Sequence, residues 1–283
     1  MMLTINNVTY GYNKYHNVFK NFTLEFNEGG IYGLLGKNGT GKSTLLYLIM
    51  GLLRPQVGSV TYNGIDTRLR RPETLGDMFI VPEEYNLPSV SLKKYISSIR
   101  PFYPNFSEEL LKECLEGFNM TNDVNLGALS MGQKKKVYMC IALATNTKLL
   151  VMDEPTNGLD IPSKSQFRKV VAKGMSDDKT IIISTHQVRD VENLLDHLTV
   201  IESDKILLNA STGKVSEHLS FVQIEKGEQC PEIIYSEQDV HGISAIIAND
   251  GTMETPINLE LLFNALLTDS KRINDAIYGN ENK

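Results

Sequence analysis

Gly36-Lys37-Asn38-Gly39-Thr40-Gly41-Lys42-Ser43-Thr44 constrains this chain more than any other stretch. A glycine, four intervening residues and then Gly-Lys-Ser follow an apolar, strand-like run at 30–35 and open a helix-like run at 45–53. Strand, loop and helix in that order are the context this spacing needs to cradle a phosphate. The glycines let backbone N–H groups wrap a phosphate without Cβ clashes. The helix N-terminus behind them adds partial positive charge. Lys42 is placed to reach the β- and γ-phosphates of a nucleotide, and the Ser43 hydroxyl to ligate Mg²⁺.

The pattern around the loop is that of an α/β chain. Residues 2–10 and 22–26 alternate apolar and polar side chains, the period of half-buried strands. Residues 60–62 with Asn63-Gly64 read as a further strand and turn. From about 82 to 144 the spacing turns helical, over 92–100, 108–118 and 132–144, with Ser107 before two glutamates as an N-cap. Short aliphatic runs at 148–152 and 180–184 suit strands buried on both faces of a parallel sheet. Helices at 163–175 and 188–195 complete a βαβ alternation. After about Thr212 the pattern shifts to short strands at 221–225, 232–235 and 243–248, then an amphipathic helix at 256–267. The tail from 278 to 283 is polar and is expected to fray.

Bulk properties exclude several classes. With 283 residues and 41% of them hydrophobic, the chain holds one large domain, or a domain and a small appendage. A net charge of −6 gives no global basic field for nucleic acid. The three cysteines, Cys114, Cys140 and Cys230, are far apart and form no CxxC, as expected of free thiols in a reducing compartment. The N-terminus lacks the basic and apolar regions of a signal peptide. The longest apolar run, 45–53, is shorter than the ~20 residues a bilayer requires. A membrane role is therefore expected to run through a partner.

Leu149-Leu150-Val151-Met152-Asp153-Glu154 is an aliphatic strand ending in two acids. Buried carboxylates need a metal or a partner. Asp153 suits Mg²⁺, through water or via Ser43, and Glu154 suits a base that polarises an attacking water. Leu129-Ser130-Met131-Gly132-Gln133 offers a helix N-cap at Ser130 and, at the same helix end, a second phosphate site.

Together these motifs resemble those of the nucleotide-binding subunit of ATP-binding cassette (ABC) transporters, in the family's order over roughly residues 1–210. Gly36 to Thr44 matches the phosphate loop, and Leu129 to Gln133 the family signature. Asp153-Glu154-Pro155-Thr156-Asn157-Gly158-Leu159-Asp160 matches the Walker B motif and D-loop. Ser184-Thr185-His186 matches the switch histidine, and Tyr12 the aromatic that stacks on adenine, with Tyr10 and Tyr15 as nearby competitors. Asp160 is either a link between two sites across a dimer or a helix cap. The closing helix, with Asn258-Leu259-Glu260-Leu261-Leu262-Phe263, is similar to the C-terminal extension of ABC-2-type exporter ATPases.

The resemblance implies a P-loop NTPase of the ABC ATPase fold with a β-rich N-terminal part. A helical subdomain at about 84–146 is inserted in an ATPase domain of residues 1–212, and a small α+β accessory domain follows at 213–283. It implies hydrolysis of ATP with Mg²⁺, with Lys42, Glu154 and His186 as the catalytic groups. The nucleotide would be held by Tyr12, by the loop from Gly36 to Thr44, and by Ser130, Gly132, Gln133 and Asp160. The metal would be held by Ser43, Asp153 and Glu83. The family's logic is a head-to-tail homodimer, or a heterodimer with a related ATPase, in which each ATP lies between one chain's loop and the other's signature. An integral membrane permease subunit would hold the pair on the cytoplasmic face of the cell membrane, with export as the expected direction and no nucleic acid bound.

Some residues depart from the family pattern. Ile80-Val81-Pro82-Glu83 places a glutamate where the family usually has glutamine, with Glu84 beside it as an alternative. Met131 replaces a common glycine, and Lys134-Lys135-Lys136 is read as a solvated helix face. Two other functional classes stay open: a ribosome-directed soluble ATPase, and a chromosome ATPase. Members of the first usually carry two cassettes. The second needs a long coiled coil, and no sustained heptads stand between Gly36 and Asp153. The resemblance implies that the cargo is selected by the membrane subunit.

Overall fold

The computed structural model describes residues 2–13, 15–224, 232–239, 242–249, 251, 253 and 255–279. Cys230, the end of the 221–225 strand and the tail from 280 onwards lie outside the described residues.

The amphipathic strands foreseen near the N-terminus form as β1 (Leu3–Tyr10) and β2 (Phe19–Phe26), whose alternating faces bury Leu3, Ile5, Val8, Phe22, Leu24 and Phe26. The chain then enters β3 (Gly30–Leu35), passes through the phosphate loop and forms α1 (Lys42–Ile49). β4 (Val57–Tyr62) and the short β5 (Ile65–Asp66) join β1 and β2 in an antiparallel sheet ordered β2-β1-β4-β5.

After α2 (Pro72–Gly76) comes β6 (Met78–Val81), then the helical stretch: α3 (Leu92–Ile99), α4 (Glu108–Gly117) and α5 (Met131–Ala144). β7 (Leu149–Asp153), α6 (Ile161–Lys173), β8 (Thr180–Thr185), β9 (His197–Glu202) and β10 (Lys205–Ser211) follow. The central sheet runs β10-β9-β3-β8-β7-β6, with only the β9–β10 hairpin antiparallel. Every residue of β7 and β8 is buried, as their unbroken aliphatic runs require. One face of the sheet packs on α1 and the N-terminal sheet, including Leu45, Leu46, Leu48 and Phe19. The other packs on the helices, including Leu115, Val137, Ile141 and Phe167.

α7 (Thr212–His218) leads into a three-stranded antiparallel sheet, ordered β11-β13-β12, of β11 (Leu219–Ile224), β12 (Ile233–Asp239) and β13 (Gly242–Ala248). α8 (Leu259–Tyr278) closes the described chain and is longer than its sequence pattern foretells, running on through a non-helical Asp269. Its buried face, with Leu259, Leu262, Leu266 and Ile273, belongs to the same apolar core as the central sheet. Its first turn also reaches back to the segment after β8, where Arg189 pairs with Glu260.

The helix expected over 188–195 does not form. Two separate 3₁₀ turns, Val188–Asp190 and Glu192–Leu194, stand in its place, with Val191 between them at φ −122°. That φ lies outside the helical range and breaks the hydrogen-bond ladder.

Candidate functional site

Adjacent parallel strands end at the same level, so whatever follows β3, β8, β7 and β6 gathers at one edge of the sheet. Those four strands lead into the phosphate loop, His186, Glu154 and Glu83 respectively.

The loop is shaped by close approach. Gly41 adopts φ +97°, and a Cβ there would stand 2.7 Å from Val18 Cγ1 and 2.8 Å from Phe19 Cζ. Only glycine meets both demands. α1 therefore begins on a residue with no side chain to cap it, and no acid stands in its first turn. The contrast with α3 to α8 is complete: each of those starts with a capping side chain, from Ser91, Ser107, Ser130, Asp160, Ser211 and Asn258. The first N–H groups of α1 need an acceptor that its own cap residue cannot give, which fits an anion.

Lys42, 6% exposed, curls over the loop. Its ammonium donates to the carbonyls of Gly36 (2.8 Å) and Lys37 (3.1 Å) and lies 3.6 Å from Glu154 Oε1. Burial pushes it below the ordinary lysine range, while Glu154, Asp153 and Glu83 pull it back up.

Asp153 is fully buried and accepts hydrogen bonds from the hydroxyls of Ser184 and Ser43. Burial raises its pKa, and the nearby charges of Glu154 and Glu83 add to the rise against those two hydroxyls. Glu154 follows in a left-handed conformation, φ +45°. Its backbone N–H donates to Ser184 O (3.0 Å). Its carboxylate accepts from Thr185 Oγ1 (3.1 Å) and the His186 backbone N–H (3.1 Å), and lies 2.8 Å from His186 Nδ1. Catalytic candidates that the sequence spreads from residue 42 to residue 186 thus meet on one carboxylate.

A cavity of about 500 Å³ opens on this cluster, lined by Asn38, Gly39, Gly41, Lys42, Ser43 and Thr44 of the loop and by Tyr12, Val18, Glu83, Glu154, Asn157 and His186. Tyr12 is the tyrosine placed there; its hydroxyl shares a hydrogen bond with Thr44 Oγ1 (3.0 Å). Tyr10 is buried beneath it in edge contact, and Tyr15 is 98% exposed and outside the cavity wall. Of the two adjacent glutamates, Glu83 lines the cavity and Glu84 does not. Glu83 Oε1 accepts from Asn157 Nδ2 at 2.8 Å.

Gly36, Lys37 and Thr40 shape the loop from behind. Gly36 has no room for a Cβ beside Ile201 O, and Thr40 Oγ1 donates to Lys37 O. Ser130, Gly132, Gln133 and Asp160 are absent from the cavity wall. Ser130 and Gln133 form a reciprocal capping box at the start of α5, and Asp160 caps α6. Ser43 Oγ and the Asp153 carboxylate are hard oxygen donors suited to Mg²⁺, which takes few protein ligands and completes its shell with phosphate and water. A Mg²⁺ ion there would neutralise phosphate charge.

The lysine run after the signature differs from the sequence expectation. Lys134 and Lys136 are half-buried, but Lys135 is only 9% exposed. Its ammonium donates to the carbonyls of Glu154 (2.9 Å) and Asn157 (2.8 Å). One signal could have found it. Lys135 lies one turn before Met139, on the inward side of α5.

Comparison with known proteins agrees with this geometry. The sequence model of a family described as "ABC transporter" matches residues 19–157. SrtF of Streptococcus pyogenes, a lantibiotic transport ATP-binding protein, is 30% identical over 208 residues, 73% of this chain and 90% of its own length. The chain belongs to the ABC transporter family. Family membership makes it an ATP-binding subunit and brings the family's chemistry, the hydrolysis of ATP. YdbJ of Bacillus subtilis, an ABC transporter ATP-binding protein, is 32% identical over 69% of this chain, which spans 64% of YdbJ's length. ZurA of Listeria monocytogenes, a zinc uptake ATP-binding protein, is 28% identical over 79% of this chain and 91% of its own length. The fold is that of a solved ATP-binding subunit of an ABC transporter, with TM-score 0.67 and 22% identity over 76% of this chain and 92% of the other. Among the described residues no helix is long and apolar enough to cross a membrane.

Proposed function

We propose that this ABC subunit drives transport through a separate membrane permease, and that Lys42, Glu154 and His186 perform the hydrolysis. The observation that carries this reading is the convergence of all three on one cavity at the uncapped end of α1. The loop N–H groups and Lys42 hold the phosphates. Glu154 takes a proton from the attacking water, and His186 is within contact distance to hold the carboxylate toward it. Ser43 and Asp153 would hold Mg²⁺, with the Glu83 carboxylate as a further oxygen ligand, and the metal would neutralise phosphate charge. Tyr12 offers its exposed ring to adenine.

Ser130, Gly132, Gln133 and Asp160 act on the nucleotide of a second copy or a related ATPase, in a head-to-tail dimer on the cytoplasmic face of the membrane. The position of the signature outside the cavity wall supports this. Residues 1–212 form the ATPase unit and 213–283 the accessory unit. Export is the direction we assign, on the likeness to the lantibiotic transporter SrtF and to exporter C-terminal extensions. The likeness to the uptake protein ZurA makes direction the point a vesicle assay must decide.

Replacing Glu154 tests the chemistry. Glu154→Gln keeps ATP binding and loses roughly 10²–10⁴-fold in turnover, the usual worth of a general base. Lys42→Ala weakens nucleotide binding and abolishes turnover. A phosphate-release assay beside a nucleotide-binding measurement separates the two; wild-type turnover in Glu154→Gln overturns the assignment.

A further inference from the structure

Lys135 is a buried cation that the proposed chemistry leaves unused. Among the described residues it has no carboxylate within ion-pair distance, and its recorded partners are the carbonyls of Glu154 and Asn157. Removing an ammonium from water is unfavourable, and these charge-assisted bonds, with the nearby charges of Glu83, Glu154 and Asp153, offset its burial.

The two carbonyls are informative. They lie at the two ends of one turn, closed by the Asn157 N–H donating to Glu154 O at 3.2 Å. Glu154 sits at φ +45°, a region non-glycine residues occupy only when their surroundings hold them there. Ser184 grips the N–H side of that residue. Lys135 grips the carbonyl side. Asn157, held through its own carbonyl, presents its side-chain amide to Glu83, which follows the neighbouring strand β6. One ammonium thereby fixes the backbone of Glu154 and the residue that orients Glu83. It does so from α5, whose first residues, Ser130 to Gln133, are the signature.

We propose that Lys135 is a positioning residue for hydrolysis: it holds the Glu154 carboxylate where it can take the proton of the attacking water, by clamping both ends of the turn from Glu154 to Asn157. The inference rests on Glu154 acting as the base. Because Lys135 lies on the signature helix, it ties the helix that meets the partner's nucleotide to the carboxylate serving its own.

The test uses the full chain with Lys135→Met, which keeps the stem and removes the donor, and Lys135→Arg, which restores donors. Lys135→Met lowers kcat by roughly 10- to 100-fold, as misplacement of about an ångström does, with KM and ATP affinity unchanged within about threefold. Lys135→Arg recovers most of the lost kcat. Adding Lys135→Met to Glu154→Gln costs less than about twofold more, because a group acting through another is non-additive with it. If Lys135→Met does not fold, Lys135→Gln replaces it in the same three measurements. A kcat within twofold of wild type overturns the proposal. So does a fully additive double variant, or a parallel loss of ATP affinity without rescue by arginine. Wild-type turnover in Glu154→Gln alone would instead sink the assignment of the base, so the two failures read differently.

Discussion

Asp153 and Lys42 are both buried beside Glu154, and burial acts on them in opposite directions. Burial lowers the lysine and raises the aspartate. For Asp153 the sign is definite. Its folded-state pKa exceeds the unfolded value, so between the two the folded chain binds a proton the unfolded chain has lost. Stability of the metal-free protein therefore falls as pH rises through that window, and an uncharged isostere gains most above it. Asp153→Asn raises the melting temperature of the metal-free protein at pH 7.5, and the gain shrinks as the buffer is taken toward pH 4. A gain independent of pH, followed by scanning calorimetry, counts against a strained buried charge at Asp153. The acids and the lysine of this site are legible in the sequence because their spacing is dictated by the nucleotide they serve. Lys135 shows only in its helical phase, one turn before the buried Met139. Its neighbours Lys134 and Lys136 have the same chemistry but fall half-buried, away from the turn after β7 that takes the Lys135 ammonium.

Among the elements, β1 to β3, β7, β8 and α4 to α6 follow from alternation, aliphatic runs and caps. β6 escapes because Met78–Val81 is four residues with no alternation, and it pairs only with β7. β9 and β10 are unforeseen, although the buried run Leu198–Ile201 of β9 is of the same kind as those of β7 and β8. The 3₁₀ turns after β8 escape because Val188 and Val191 mimic helical spacing while a single residue's φ decides the outcome. α1 has the opposite character, since its start is set by Gly41. Gly41→Ala strains a φ of +97° and drives a methyl into Val18 and Phe19. It weakens ATP binding by at least tenfold, read by a fluorescent nucleotide. Gly64→Ala, at φ +77° with open space around it, is the control that leaves binding within about twofold. Equal loss in both variants would mean that general backbone strain, not the fit of this loop, governs affinity.

At the scale of the whole molecule, the signature and the cavity belong to different surfaces of one chain, which makes a mixing experiment decisive. Ser130→Arg alone and Lys42→Ala alone are each inactive. In a head-to-tail pair of the two variants, both lesions fall in the same composite site and the other site is whole. Activity returns to a substantial fraction of wild type on mixing; no recovery in stable mixed dimers, or full activity of wild type at every dilution as a monomer, rules the arrangement out. The fold has one further property at this scale. A helix that begins on glycine has left one of its hydrogen-bond acceptors to be supplied from solution. Nucleotide is then a component of the folded state, and occupancy enters its free energy by mass action. At one hundred times the dissociation constant the native form gains about 2.7 kcal/mol. An occupied site therefore holds more of the chain folded, and out of reach of a protease, than an empty one does.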